Sequence, residues 1–366
     1  MILNALPGIG PLALNRLLAA FGGNPRAILG AEMRRLVAVE GIRLETARAV
    51  CGWRAHIDLA KEERSLASSG VSFITPKDEA YPRLLREIHD PPIGLYKKGA
   101  YELKDSCIAL IGSRRTTLYG MTVAKRLGAE LARLGFCVVS GLARGIDTAA
   151  HEGALAAGGR TAAVIGTGID IVYPPENHNL FERIVGAGAV LSEFPFGNPP
   201  SSQTFPMRNR IVSGLSEAIV VVESDVDGGA MITARFAAEQ GRTVFAVPGR
   251  IDQPTSAGCH QLIRDGAGLL TGVDDILSEL SYLKGFSPAS SSAKRQAPQK
   301  SVALADLAEE ERSILQCLGG GEILTPDAIG ERTGLPSPKL SAGLMMLELK
   351  RLVSKRTDGA YEKGNA

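Results

Sequence analysis

The stretch Cys107-Ile108-Ala109-Leu110-Ile111, followed by Gly112-Ser113-Arg114-Arg115-Thr116-Thr117-Leu118-Tyr119-Gly120, decides how the rest of the chain reads. Five apolar residues without polar alternation, stopped by a glycine, read as a strand covered on both faces. The helical run MTVAKRLGAELARLG (121–135) comes next and ends in Gly135. The same unit recurs outward from it. Further strands are expected at VSFI (71–74), IGLY (93–96), FCVVS (136–140), TAAVI (161–165), AVLS (189–192), AIVVV (218–222), TVFAV (243–247) and GLL (268–270), with helices between them at 147–159 and 231–241. Strand–helix–strand repeats of this length imply an α/β fold with a Rossmann-like, doubly wound, mostly parallel sheet.

In such sheets ligands bind where strands end and helices begin. The loops there are rich in glycine and several carry arginine, among them Gly112-Ser113-Arg114-Arg115 after CIALI and Gly141-Leu142-Ala143-Arg144-Gly145 after FCVVS. Gly166-Thr167-Gly168 follows TAAVI, Glu223-Ser224-Asp225 follows AIVVV, and Pro248-Gly249-Arg250 follows TVFAV. Glycine lets a backbone approach an anion, helix N-termini offer free amides, and arginine supplies a bidentate fork. Together the loops predict a phosphate-binding rim. The segment Phe205-Pro206-Met207-Arg208-Asn209-Arg210 adds two arginines around an asparagine, which suit phosphate and base edges, and a phenyl ring on which a base can stack.

Enzymatic signatures are missing. Gly166-Thr167-Gly168 lacks the third glycine of a dinucleotide fingerprint, and there is no P-loop, nucleophile elbow or paired-carboxylate pattern. Asp147 and His151 are four apart on one helix, but a helix-capping carboxylate and an internally hydrogen-bonded imidazole explain them. No catalytic residue, metal site or cofactor is expected.

Composition bounds the classes. The 366 residues hold 41 basic and 39 acidic side chains, net +2, with 45% hydrophobic residues and 42 glycines. That balance excludes a protein coated in positive charge but not a local basic cleft. Residues 1–65 carry nine basic and six acidic residues, 66–299 carry 23 of each, and 300–366 carry nine and ten. The five cysteines are scattered, against a disulfide scaffold. No apolar run approaches the ~18 residues of a membrane span, and the N-terminus lacks a basic leader. A cytoplasmic protein without membrane insertion is expected.

The strings GSRRTTLYG (112–120), SGLARGIDTAAHEGAL (140–155), AVIGTGIDIVYPPENHNL (163–180), SEFPFG (192–197), FPMRNRIVSGLS (205–216), GGAMITARFAAEQGR (228–242) and VFAVPG (244–249) closely resemble, in order, the DNA-processing protein A (DprA, or Smf) family. The resemblance covers roughly residues 66–280. It implies an extended Rossmann-type domain that binds single-stranded DNA without sequence preference, protects incoming strands in natural transformation and loads a RecA-type recombinase onto them. It also implies a homodimer, for which Leu262 and Ile263 are the expected contact. Carried over, Gly112, Ser113 and Arg114 line the strand-binding pocket with Arg208, Asn209 and Arg210 opposite. Arg115, Gly141, Arg144, Gly166, Gly168 and Phe205 complete the expected site. Two positions depart from the family pattern: Pro175 stands where a basic residue is common, and His260 where an asparagine is. The alternative function is a nucleotide-handling enzyme of phosphoribohydrolase type. Its P-G-G-x-G-T-x-x-E signature fails here, with Arg235 and Phe236 where the glutamate belongs.

Four segments are expected: a helix–hairpin–helix or SAM-like domain over 1–65, the Rossmann-like DNA-binding domain over 66–285, a flexible linker over 286–304 containing FSPASSSAKRQAPQK, and a winged helix over 305–366. The helices of the last are read at 306–318, 326–333 and 337–350, with a wing at 352–362. Its third helix offers only Lys339 and Lys350 to nucleic acid, which favours a protein-interaction or autoregulatory role.

Overall fold

The computed structural model describes residues 1–281, 307–319, 322–350, 352–356 and 359–363. The chain divides into two compact units, residues 1–288 and 289–366. The linker expected over 286–304 lies outside the described residues.

The first unit opens with six helices: α1 (Ile2–Ala5), α2 (Pro11–Ala20), α3 (Pro25–Leu29), α4 (Met33–Val37), α5 (Leu44–Cys51) and α6 (Leu59–Ser69). Proline opens α2 and α3, where a missing amide breaks no helical hydrogen bond. Leu14, Leu17, Ile28, Leu36 and Val50 close a small core of their own.

Nine strands then form one sheet: β1 (Val71–Ile74), β2 (Leu95–Lys98), β3 (Cys107–Ile111), β4 (Cys137–Ser140), β5 (Thr161–Ile165), β6 (Ala189–Ser192), β7 (Ala218–Val221), β8 (Thr243–Ala246) and β9 (Gly268–Leu269). Their order is β1-β2-β6-β5-β4-β3-β7-β8-β9. The seven strands from β6 to β9 in that order are parallel, and β2 and β1 extend the β6 edge antiparallel. The strand expected at 93–96 begins at Leu95, because Tyr96, Lys97 and Lys98 carry the ladder to β6.

Between the strands lie α7 (Arg83–Arg86), α8 (Leu118–Arg133), α9 (Ile146–Ala156), α10 (His178–Ala187), α11 (Thr204–Gly214), α12 (Gly229–Glu239), α13 (Pro254–Arg264) and, after the last, α14 (Val273–Glu279). Successive strand residues point to opposite faces, and helices cover both. Ala109 and Ile111 join one core with Ile211 and Val212 of α11 and Ala234 of α12. Ile108 and Leu110 join another with Leu127 of α8 and Ala150 of α9. This double burial is why the strands read as unbroken apolar runs. From β3 the chain steps through β4, β5 and β6 on one side, then returns to place β7 on the other. Neighbouring loops diverge at such a reversal and open a crevice.

The second unit is a winged helix of α15 (Glu309–Cys317), β10 (Ile323–Leu324), α16 (Pro326–Thr333), α17 (Ser337–Leu349), β11 (Val353–Lys355) and β12 (Tyr361–Lys363). The sheet runs β10-β12-β11, antiparallel. The helix read at 306–318 begins at Glu309, where the Glu311 carboxylate accepts from the Ala308 amide at 2.9 Å. Strand β10 was not foreseen, since two residues show no periodicity.

Candidate functional site

At the β3–β7 reversal lies a cleft of about 460 Å³. Its lining comes from the loop after β3 (Gly112, Ser113, Arg114, Arg115), the loop after β4 (Gly141, Ala143) and one face of α11 (Phe205, Arg208, Asn209, Val212). The far wall is the loop after β7 and the start of α12 (Ser224, Asp225, Gly228, Gly229, Ile232, Thr233).

The loop after β3 is held by an acid. Glu223, buried just beyond the end of β7, accepts from the Thr116 hydroxyl (2.6 Å), the Thr117 hydroxyl (2.6 Å) and the Thr117 amide (2.9 Å). Its carbonyl accepts from the Ser113 amide at 2.7 Å. Gly112 is needed for closeness: a Cβ there would stand 2.6 Å from Ile146 Cγ1 and 2.7 Å from the Glu223 carbonyl oxygen. So fixed, the loop leaves Arg114 and Arg115 exposed, with no carboxylate partner among the described residues. The Arg114 guanidinium carbon lies 5.2 Å from the Phe205 ring centroid, and the Tyr173 ring lies 5.6 Å from the same ring. Arg114, Arg144, Tyr173, Pro174 and Phe205 border a second small hollow beside the cleft.

Arg208 is the floor. It is 4% exposed, donates through Nη1 to the Val164 carbonyl, and its Nε has no hydrogen-bond partner among the described residues. A Cβ on Gly141 would fall on its guanidinium, so only glycine lets the β4 loop close over it. Burial lowers the Arg208 pKa to about 10, against the pull of Asp147 and with a push from Arg114. Burial likewise raises the Asp147 carboxyl, opposed chiefly by Arg208. Asp147 does not cap α9, whose N-cap is Gly145; from the first turn of the helix it reaches back to accept from the amides of Gly141 (3.1 Å) and Ala143 (3.3 Å), holding the β4 loop. His151 is fully buried, 2.6 Å from the Thr161 hydroxyl, which itself donates to the Val138 carbonyl. The imidazole therefore donates from Nδ1.

Several expected residues stand elsewhere. Arg210 does not line the cleft: its Nη2 meets both Glu193 carboxylate oxygens (2.6 and 2.7 Å), and its Nε and Nη1 meet Asp90. Residues two apart on a helix point about 200° apart, so Arg208 and Arg210 cannot share a face. Gly166 backs the Phe205 ring, which its absent Cβ would approach to 2.9 Å, and Gly168 donates its amide to the Asn198 carbonyl at 2.9 Å. Arg144 is exposed and ion-paired with Glu176. Beside Pro175, Asn177 donates to the Leu142 carbonyl and the Thr148 hydroxyl, both at 2.9 Å, tying this loop to α9. His260 meets the Gly249 carbonyl at 3.0 Å. Leu262 and Ile263 are half-buried against the sheet core. Sequence reading missed Asp147 and Glu223 as organisers and the start of α12 as a wall. A buried acid directly after an apolar strand was the available signal for Glu223.

In the winged helix, Lys339 of α17 and Lys350 at its C-terminal end are both engaged, Lys339 with Glu310 at 3.0 Å and Lys350 with Glu311 at 2.8 Å. Met345, Met346 and Leu349 make its exposed side apolar. No helix among the described residues is long and apolar enough to cross a membrane.

Known proteins resemble this chain in sequence and fold. A family model described as DNA recombination-mediator protein A matches residues 72–281, and one described as DprA winged helix domain matches 298–359. Protein Smf of Synechocystis sp. is 33% identical across 97% of this chain and 96% of its own. DNA processing protein DprA of Streptococcus pneumoniae is 44% identical across 56% of this chain and 73% of its own. The crystal structure of the Streptococcus pneumoniae DNA processing protein A aligns with TM-score 0.67 and 34% identity over 76% of this chain and 95% of that one. A DNA processing protein A from Helicobacter pylori, described for its single-stranded DNA binding mode, aligns with TM-score 0.53 and 31% identity over 58% and 96%.

Proposed function

The chain belongs to the DNA recombination-mediator protein A family, and on that premise we propose that it binds single-stranded DNA without sequence preference in the β3–β7 cleft. One observation carries the reading: the exposed Arg114 and Arg115 and the buried Arg208 converge on a cleft that also presents the Phe205 ring. Arg114, Arg115 and Ser113 hold phosphates, Arg208 makes the floor electropositive, and Phe205 with Asn209 meets a base. Stacking on a ring accepts any base, which fits sequence-independent binding. A duplex hides its base faces and loses that term.

The wider role follows the same premise. The protein protects incoming strands in natural transformation and passes them to a RecA-type recombinase, acting by binding rather than catalysis. It works in the cytoplasm as a homodimer joined near Leu262 and Ile263. A mobility-shift titration with oligo-dT and a duplex of equal length, at low and high salt, tests the central step. Preference for the single strand, weakening steeply with salt as counterions are released, is expected. Equal or absent binding to oligo-dT would sink the reading.

A further inference from the structure

Away from the cleft, positive charge concentrates on the N-terminal helices. Residues 1–57 carry seven arginines and three glutamates. They contain two hairpins of one design: Leu6-Pro7-Gly8-Ile9-Gly10 joins α1 to α2, and Val39-Glu40-Gly41-Ile42-Arg43 joins α4 to α5. In each the isoleucine is buried and its amide donates three residues back, Ile9 to Leu6 at 3.3 Å and Ile42 to Val39 at 3.1 Å. In each the preceding glycine holds a left-handed backbone, φ +75° at Gly8 and +77° at Gly41. Each hairpin leans on the helix that follows the other, Gly8 on Thr46 of α5 and Gly41 on Arg16 of α2.

Alongside the second hairpin runs a groove of two adjoining clefts, about 620 and 560 Å³, which share Ala20, Phe21 and Arg35. The Arg35 guanidinium carbon lies 5.2 Å from the Phe21 ring centroid. Arg16 stands on the other wall, donating to the Glu40 carbonyl at 3.4 Å. Arg34 is taken by Glu32 at 2.9 Å. Arg16, Arg35 and Arg43 are exposed and have no carboxylate partner among the described residues. Arg16 and Arg35 line the groove and Arg43 stands on the hairpin that borders it; unneutralised arginines so placed, one over an aromatic ring, suit a repeating polyanion.

We propose that the N-terminal helical segment is a second nucleic-acid-binding surface, separate from the strand-end cleft, that grips a phosphodiester backbone with Arg16, Arg35 and Arg43. The reading does not depend on the cleft. The test uses the full chain with Arg16→Ala and Arg35→Ala together, and a long oligo-dT strand and a duplex of equal length as probes. Losing two phosphate contacts should flatten the slope of log affinity against log salt by about 1.4 on a single strand or about 1.8 on a duplex. The probe that shows the change identifies the form the surface takes. The Arg16→Lys/Arg35→Lys protein should regain the wild-type slope. Unchanged slopes on both probes would overturn the proposal, as would a loss that lysine fails to restore. An Arg114→Ala protein run in parallel reports on the cleft alone.

Discussion

Arg208 and Arg210 stand two residues apart on α11 and serve opposite sides of it: Arg208 lies under Gly141 at the cleft floor, while Arg210 is locked between Glu193 and Asp90. The first faces the cleft, and the second ties elements of the fold together. Burial pushes the Glu193 carboxyl above its ordinary value, and Arg210 pulls it back.

Arg210→Ala should therefore act on stability. It leaves Glu193 buried without its cation, a loss of about 3–5 kcal/mol. Denaturant titration measures it, and an Arg210→Ala protein as stable as the wild type would contradict the assignment.

Arg114→Ala should do the reverse. The side chain is exposed and bonded to no carboxylate among the described residues, so the melting temperature should not move. Oligo-dT affinity should fall about ten- to a hundredfold, the worth of a charge-assisted hydrogen bond. Phe205→Ala should lose a comparable factor through base stacking. Fluorescence anisotropy with the melting curve separates the two effects.

Gly112→Ala should damage both. The added methyl meets Ile146 and the Glu223 carbonyl at 2.6 and 2.7 Å, and overpacking of this kind costs about 1–3 kcal/mol. Relief requires the β3 loop to move, carrying Ser113 and Arg114 with it. Thermal unfolding and anisotropy on the same sample should fall together; a variant that binds and melts like the wild type would show that the loop is not so constrained.

Acid should destabilise the fold through His151. Burial lowers its pKa from 6.5 to about 3, with Arg208 adding to the shift. A depressed folded-state pKa contributes stability that is complete above the unfolded value and lost as pH falls toward the folded one. Between pH 6.5 and 3 this group alone should remove about 1.4 kcal/mol per unit. Denaturant midpoints measured across that range on the wild type and His151→Gln should differ in slope; parallel curves would remove His151 as the cause.

Much of the site could be read in advance from the loops. Gly112, Ser113, Arg114 and Arg115 follow an unmistakable buried strand, and strand ends are where such sheets bind. The expected segment 205–210 was also in place, but not which of its side chains faced the cleft. Asp147 read as a helix cap, but Gly145 caps α9 and the Asp147 carboxylate instead holds the β4 loop. Glu223 was one acid among several until its three hydrogen bonds to Thr116 and Thr117 were seen.

The apolar runs and the glycines that end them determined on their own the sheet, its parallel sense and the rim where ligands meet it, because burial on both faces and tight turns leave their mark residue by residue. Only the tertiary structure decided how each arginine is used. Arg114, Arg208 and Arg210 carry the same charge in sequence. What separates them is which carboxylates and carbonyls, brought from up to 120 residues away, surround each guanidinium. That environment sets whether the charge is free for a phosphate or already spent.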